Sequence, residues 1–120
     1  MQNPILVALD VPTADQARAL AEKLAPFVGG FKIGSELFTS AGPEIVKQIR
    51  ATGARVFLDL KFYDIPNTVA KSVAAAVRLD VQMLTLHTSG GFSMMEAAEK
   101  AAQDTAKSLN IPPPLALGVT

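Results

Sequence analysis

Asp59, Lys61 and Asp64 fall within six residues, inside the stretch FLDLKFYDIPNT at 57–68. Leu58, Leu60 and Phe62 alternate with the first two, so the charges sit in apolar company. An ion taken out of water without a partner costs on the order of several kcal/mol, so such charges must pair with one another or meet a charged ligand. An alternating acid–base–acid cluster can do both. The plainer reading of D-x-K-x-x-D is a network of salt bridges at a strand end, because structural ion pairs are common and a short motif is weakly specific. On the residues alone both readings stand.

The elements that hold these residues follow a repeating pattern. ILVALD (5–10), GGFKIG (29–34), RVFLDLK (55–61), MLTLHTS (83–89) and LALGVT (115–120) read as five short strands. Between the first two, Thr13 and Gln16 have capping-box spacing, and Ala17, Leu20, Ala21 and Leu24 form one apolar stripe. Pro43 fits the first position of a helix carrying Ile45, Val46 and Ile49 and closed by Gly53. Pro66 opens a helix with Val69, Val73 and Val77 on one side, and Ser93 with Glu96 has the spacing of a second capping box before an alanine-rich helix. Pro112, Pro113 and Pro114 lead into the last strand.

Short buried strands alternating with amphipathic helices predict an α/β fold with a parallel sheet, either open and doubly wound or closed as a barrel. Each unit is about 25 to 30 residues, the length that an eight-unit barrel of about 250 residues requires. In both forms ligands bind where strands finish, and Asp10, Lys32, Asp59 and Lys61 finish three of them, with Asp64 just beyond. Residues two apart on a strand point the same way, so Asp59 and Lys61 are expected on one face, the interior of a barrel, and Leu58, Leu60 and Phe62 on the other.

Composition narrows the chemistry. A length of 120 residues, 49% of them apolar, fits one compact domain with a core. Eleven Lys and Arg balance eleven Asp and Glu, which removes bulk attraction to nucleic acid or to an anionic membrane. With no cysteine, disulfides, thiolate chemistry and cysteine-based metal sites are excluded, and His87 is the single histidine. The opening MQNPILVALD has no basic stretch before a long apolar run, and no segment reaches the roughly 18 apolar residues of a membrane helix, so a cytoplasmic protein is expected.

VALD at 7–10, FKIG at 31–34, FLDLKFYDIPNT at 57–68, HTSGG at 87–91 and LGVT at 117–120 together make the chain resemble the bacterial orotidine 5′-monophosphate decarboxylases. The resemblance runs over the whole chain and implies that residues 1–120 are the N-terminal portion of a single (β/α)8 TIM barrel, about its first four and a half units. It implies removal of CO2 from carbon 6 of orotidine monophosphate to give uridine monophosphate, the last step of de novo pyrimidine synthesis, without metal or other cofactor. In that family pattern Lys61 is the proton donor, and Asp59 lies beside the departing carboxylate and holds Lys61. Asp64 reaches into the neighbouring subunit of a homodimer with shared active sites, completing a Lys32–Asp59–Lys61–Asp64 chain of alternating charge. Asp10 and Lys32 match ribose-hydroxyl contacts, Lys32 also bonding Asp59, and Ile65 and Thr68 match residues lining the nucleotide across the dimer interface.

Related sugar-phosphate decarboxylases and lyases share D-x-K-x-x-D but use magnesium and commonly carry an acid where this chain has Lys32. They are the alternative enzyme reading, and a catalytically silent half-barrel that is structural or binds nucleotides is the alternative outside enzymes. The resemblance also places the late pyrimidine contacts and the phosphate loop beyond Thr120, so impaired turnover is expected. His87 reads as a satisfied core residue, Ser89–Gly90–Gly91 as loop and cap, Met94 and Met95 as packing, and Lys100 and Lys107 as a solvated helix face; Tyr63 has no role in this reading.

Overall fold

The computed structural model describes residues 3–120. The elements run β1 (Leu6–Ala8), α1 (Ala14–Leu24), β2 (Gly30–Gly34), α2 (Ser35–Ala41), α3 (Glu44–Arg50), β3 (Arg55–Phe62), α4 (Pro66–Arg78), β4 (Met83–His87), α5 (Phe92–Leu109) and β5 (Leu115–Val119). The five strands form one sheet in chain order. β1, β2 and β3 pair in parallel, as do β4 and β5. The chain comprises two compact units, one ending at Asp59 and the other running Leu60–Thr120.

In the first unit the helix-side faces of the strands are apolar: Phe31 and Ile33 on β2 and Val56 and Leu58 on β3 are buried. Ala17 and Ala21 of α1, Leu37 of α2, and Ile45, Val46 and Ile49 of α3 are buried with them. The intervening positions Lys32 and Asp59 are half-buried, which is the alternation a strand imposes. Thr13 caps α1 as expected, its Oγ1 accepting from the Gln16 amide at 3.2 Å. The reciprocal half of the box differs, because the Thr13 hydroxyl donates to Gln16 Oε1 at 3.1 Å.

Two helices, rather than the one expected, join β2 to β3. Ser35–Ala41 is a seven-residue helix with a single buried side chain, Leu37, and so leaves no stripe in the sequence. Gly42, at φ 74°, ends it, and Pro43 is the N-cap of α3 rather than its first residue. A proline is tolerated there because no helical acceptor waits for its missing N–H.

In the second unit α4 packs on α5. Val69, Val73 and Val77 on α4 and Met94, Ala98, Ala102 and Ala106 on α5 are buried, each set at four-residue spacing. Pro66 is the first residue of α4, as its sequence position predicts. The capping box expected from Ser93 and Glu96 is absent, because Gly91, at φ 88°, is the N-cap and Phe92 already begins α5. β4 ends at His87 rather than at 89, since Thr88–Gly90 forms a 3-10 turn before that glycine. A left-handed Asn110, at φ 55°, stops α5.

Candidate active site

Asp10, Lys32 and Asp59 lie in the first unit. β1 sets Ala8 opposite Lys32, and β2 sets Gly34 opposite Asp59. The Lys32 side chain leans along its strand past Gly34, so that Nζ stands 3.6 Å from where a Cβ on that glycine would be. Its ammonium is thereby carried toward the carboxyl ends of the strands, where it meets Asp10 Oδ1 at 3.3 Å. The Lys32 side chain is 25% exposed and that of Asp10 66%, so water screens the pair and it adds at most about 1 kcal/mol to stability. Its chemical meaning is a cation and an anion presented together at strand ends.

A cavity of about 590 Å³ lies at the opposite ends of these strands, lined by Gly29 and Ala54, the residues immediately ahead of β2 and β3, together with Glu22 and Gln48. None of the strand-end charges lines it.

Lys61, Asp64, Ile65 and Thr68 lie in the second unit. Lys61 is exposed and has φ 50°, one of three non-glycine residues with positive φ among those described. The strand alternation that predicted its direction is therefore interrupted at Lys61 itself. A lysine held there costs on the order of 1–3 kcal/mol, which surrounding structure must offset. Its amide donates to Thr85 Oγ1 at 2.9 Å, and Thr85 on β4 is 4% exposed, a buried polar residue among apolar neighbours.

Asp64 Oδ1 accepts from the Ile65 amide at 2.7 Å, which holds the carboxylate against the start of α4. The N-terminal end of a helix favours a negative charge in that position. Ile65 is 65% exposed, and Thr68 is exposed in the first turn of α4, so both face open surface.

Tyr63 and His87 meet with ring centroids 5.3 Å apart. The Tyr63 hydroxyl reaches the Ser89 carbonyl oxygen at 3.5 Å, and His87 Nδ1 accepts from the Ser89 amide at 3.4 Å. A neutral His87 with Nδ1 accepting carries its proton on Nε2. His87 is half-buried rather than a core residue, but it is satisfied by its neighbours as expected. Met94 is fully buried, and Lys100 and Lys107 are exposed. Sequence assigns Tyr63 no role and does not single out Thr85, whose only signal is a polar side chain inside the run MLTLH. No group of three or more His, Asp or Glu residues that could hold a metal ion occurs among the described residues, and no helix among them is long and apolar enough to cross a membrane.

A sequence model of the orotidine 5′-phosphate decarboxylase / HUMPS family matches residues 3–119. The orotidine 5′-phosphate decarboxylase of Moorella thermoacetica is 48% identical over 119 residues, covering 99% of this chain and 47% of its own. That of Pseudomonas paraeruginosa is 50% identical over 119 residues, covering 99% of this chain and 50% of its own. Among solved structures, the decarboxylase of Lactobacillus acidophilus superposes with a TM-score of 0.81 at 32% identity, covering 99% of this chain and 53% of that one. The Methanocaldococcus jannaschii orotidine 5′-monophosphate decarboxylase complexed with inhibitor BMP gives 0.79 at 31% identity, covering 100% and 53%. The chain thus spans about half the length of the curated relatives it matches. Its parallel α/β sheet is that of the barrel family anticipated from the sequence. The magnesium-dependent lyase, the silent module and the expected impairment of turnover find no support in these relatives. The chain belongs to the orotidine 5′-phosphate decarboxylase / HUMPS family.

Proposed function

We propose that this protein decarboxylates orotidine monophosphate to uridine monophosphate, with residues 1–120 forming the N-terminal portion of a single barrel domain. The observation that carries the reading is the Lys32–Asp10 pair at the strand ends, in a chain whose relatives bear the decarboxylase name. Lys32 matters because the magnesium-dependent relatives commonly have an acid in its place.

In the reaction the bond between carbon 6 and the carboxylate breaks, CO2 departs, and the electron pair remains on carbon 6. Lys61 offsets that charge as an ammonium and then gives a proton to the carbon, becoming a neutral amine that solvent reprotonates. Asp59, two residues before it on β3, orients Lys61 and stands beside the departing carboxylate. Asp10 and Lys32 hold the ribose hydroxyls. Because Lys32, Asp59 and Lys61 are set on strands, their charges need not reorganise as the carbanion forms, and the proposed site uses no cofactor.

Asp64, Ile65 and Thr68 act in this reading across a homodimer, each subunit completing its partner's site. Their exposure supports it, since the Ile65 side chain is 65% exposed beside Asp64 at the start of α4. The proposed setting is cytoplasmic, with a nucleotide as ligand and neither nucleic acid nor membrane as partner.

The test is conversion of orotidine monophosphate by the purified protein with a metal chelator present, followed by loss of substrate absorbance and appearance of uridine monophosphate. Chelator-insensitive conversion is expected. Metal-dependent turnover of a sugar phosphate, with none of the nucleotide, would overturn the reading.

A further inference from the structure

We infer that Thr85 is the positioning residue that fixes the direction of the Lys61 side chain, by holding the Lys61 backbone in its left-handed conformation. The inference deepens the reading of Lys61 as proton donor and rests on it. Lys61 has φ 50° at the end of β3, where an L-residue would otherwise continue the extended strand. Changing φ from extended to left-handed swings Cβ to a new direction, so the backbone state of this one residue decides where its ammonium points.

Something must favour the strained state, and the structure supplies an acceptor for the Lys61 amide. Thr85 Oγ1 receives that N–H at 2.9 Å from a residue twenty-four positions away in sequence. Thr85 is itself 4% exposed, between Leu84 and Leu86, which are buried on β4. A buried hydroxyl in an apolar strand is costly unless it is used, and water has little access to replace it as acceptor. A threonine also suits this role because its branched Cβ leaves few rotamers, so the oxygen is held in place before Lys61 arrives. A catalytic group displaced by even about 1 Å can lose about a hundredfold in rate, so a clamp on its backbone belongs to the machinery although it touches no reacting atom.

Thr85→Val keeps the shape and removes the hydroxyl; Thr85→Ser keeps the hydroxyl and removes a methyl. Both are compared with the wild-type chain by backbone NMR, after thermal melts confirm that they fold. The three-bond coupling between the Lys61 amide and Hα protons reports φ directly, and exchange of that amide with solvent reports its hydrogen bond. In Thr85→Val the coupling rises toward the extended-strand value and Lys61 amide exchange quickens by at least about tenfold. In Thr85→Ser both stay as in wild type. In turnover of orotidine monophosphate, Thr85→Val lowers kcat by about a hundredfold with KM within about threefold, and Thr85→Ser restores kcat.

An unchanged Lys61 coupling and exchange rate in Thr85→Val would overturn the clamp whatever the activity. A Thr85→Val chain whose Lys61 backbone has moved but whose kcat is intact would instead overturn the role of Lys61 as proton donor. The two failures are thus read on different signals.

Discussion

Lys32 and Asp10 look at first like one more surface ion pair, but their chemistry differs from that of the pairs on the helices. Arg18 with Asp15, and Lys100 with Asp104, join residues three or four apart on one helix, whereas Lys32 lies on β2 and Asp10 two residues past the end of β1. Local pairs need only helical periodicity, while this pair needs the parallel register that sets Ala8, two residues before Asp10, beside Lys32. If Asp10 holds a ribose hydroxyl, Asp10→Ala removes a charged hydrogen bond in both ground and transition states. The expected result is a KM raised about tenfold to a hundredfold with kcat changed far less, read from steady-state kinetics. A fall in kcat at constant KM would move Asp10 from binding to chemistry.

At the scale of elements, the sequence disclosed whatever depends on local pattern. Thr13 as a cap, Pro66 as a first helical residue, the valine stripe of α4 and the five strands all follow from neighbours a few residues apart. The short α2 did not, because seven residues burying only Leu37 carry no period. The Ser93 box did not form, because the positive φ of Gly91 starts α5 earlier than spacing suggests. Lys61 is an instance of the same limit: its identity is legible, but its left-handed backbone, whose amide donates to a hydroxyl on β4, is contained in no local pattern.

Two outcomes belong to this scale. Leu84 on β4 is fully buried, so Leu84→Ala leaves a cavity and lowers unfolding free energy by about 2–5 kcal/mol, measured by chemical denaturation. On α5, the hydrogen bond and then the charge of Asp104 raise the Lys100 pKa above its ordinary 10.5. Because the folded value is the higher one, the pair's contribution is fully present below 10.5 and is lost as pH rises through the raised value. NMR titration of the Lys100 side chain should show its midpoint drop back toward 10.5 in Asp104→Asn.

At the scale of the molecule, zero formal charge leaves local fields to do the work of capturing the proposed anionic substrate. The sequence motif brought family and candidate residues together, whereas the role proposed for Asp64 depends on a second copy. Mixing Asp64→Asn chains with Lys61→Ala chains should restore activity that neither has alone, because a hybrid dimer rebuilds one intact site. Absence of rescue, with mixed dimers demonstrated by mass, would place Asp64 in its own subunit's site.

The most direct measurement is the rate of orotidine monophosphate decarboxylation by Lys61→Ala beside wild type, with circular dichroism showing both folded. Loss of the cation and of the proton it delivers should slow turnover by at least about a thousandfold. Turnover within tenfold of wild type would contradict the claim that Lys61 meets the charge left on carbon 6.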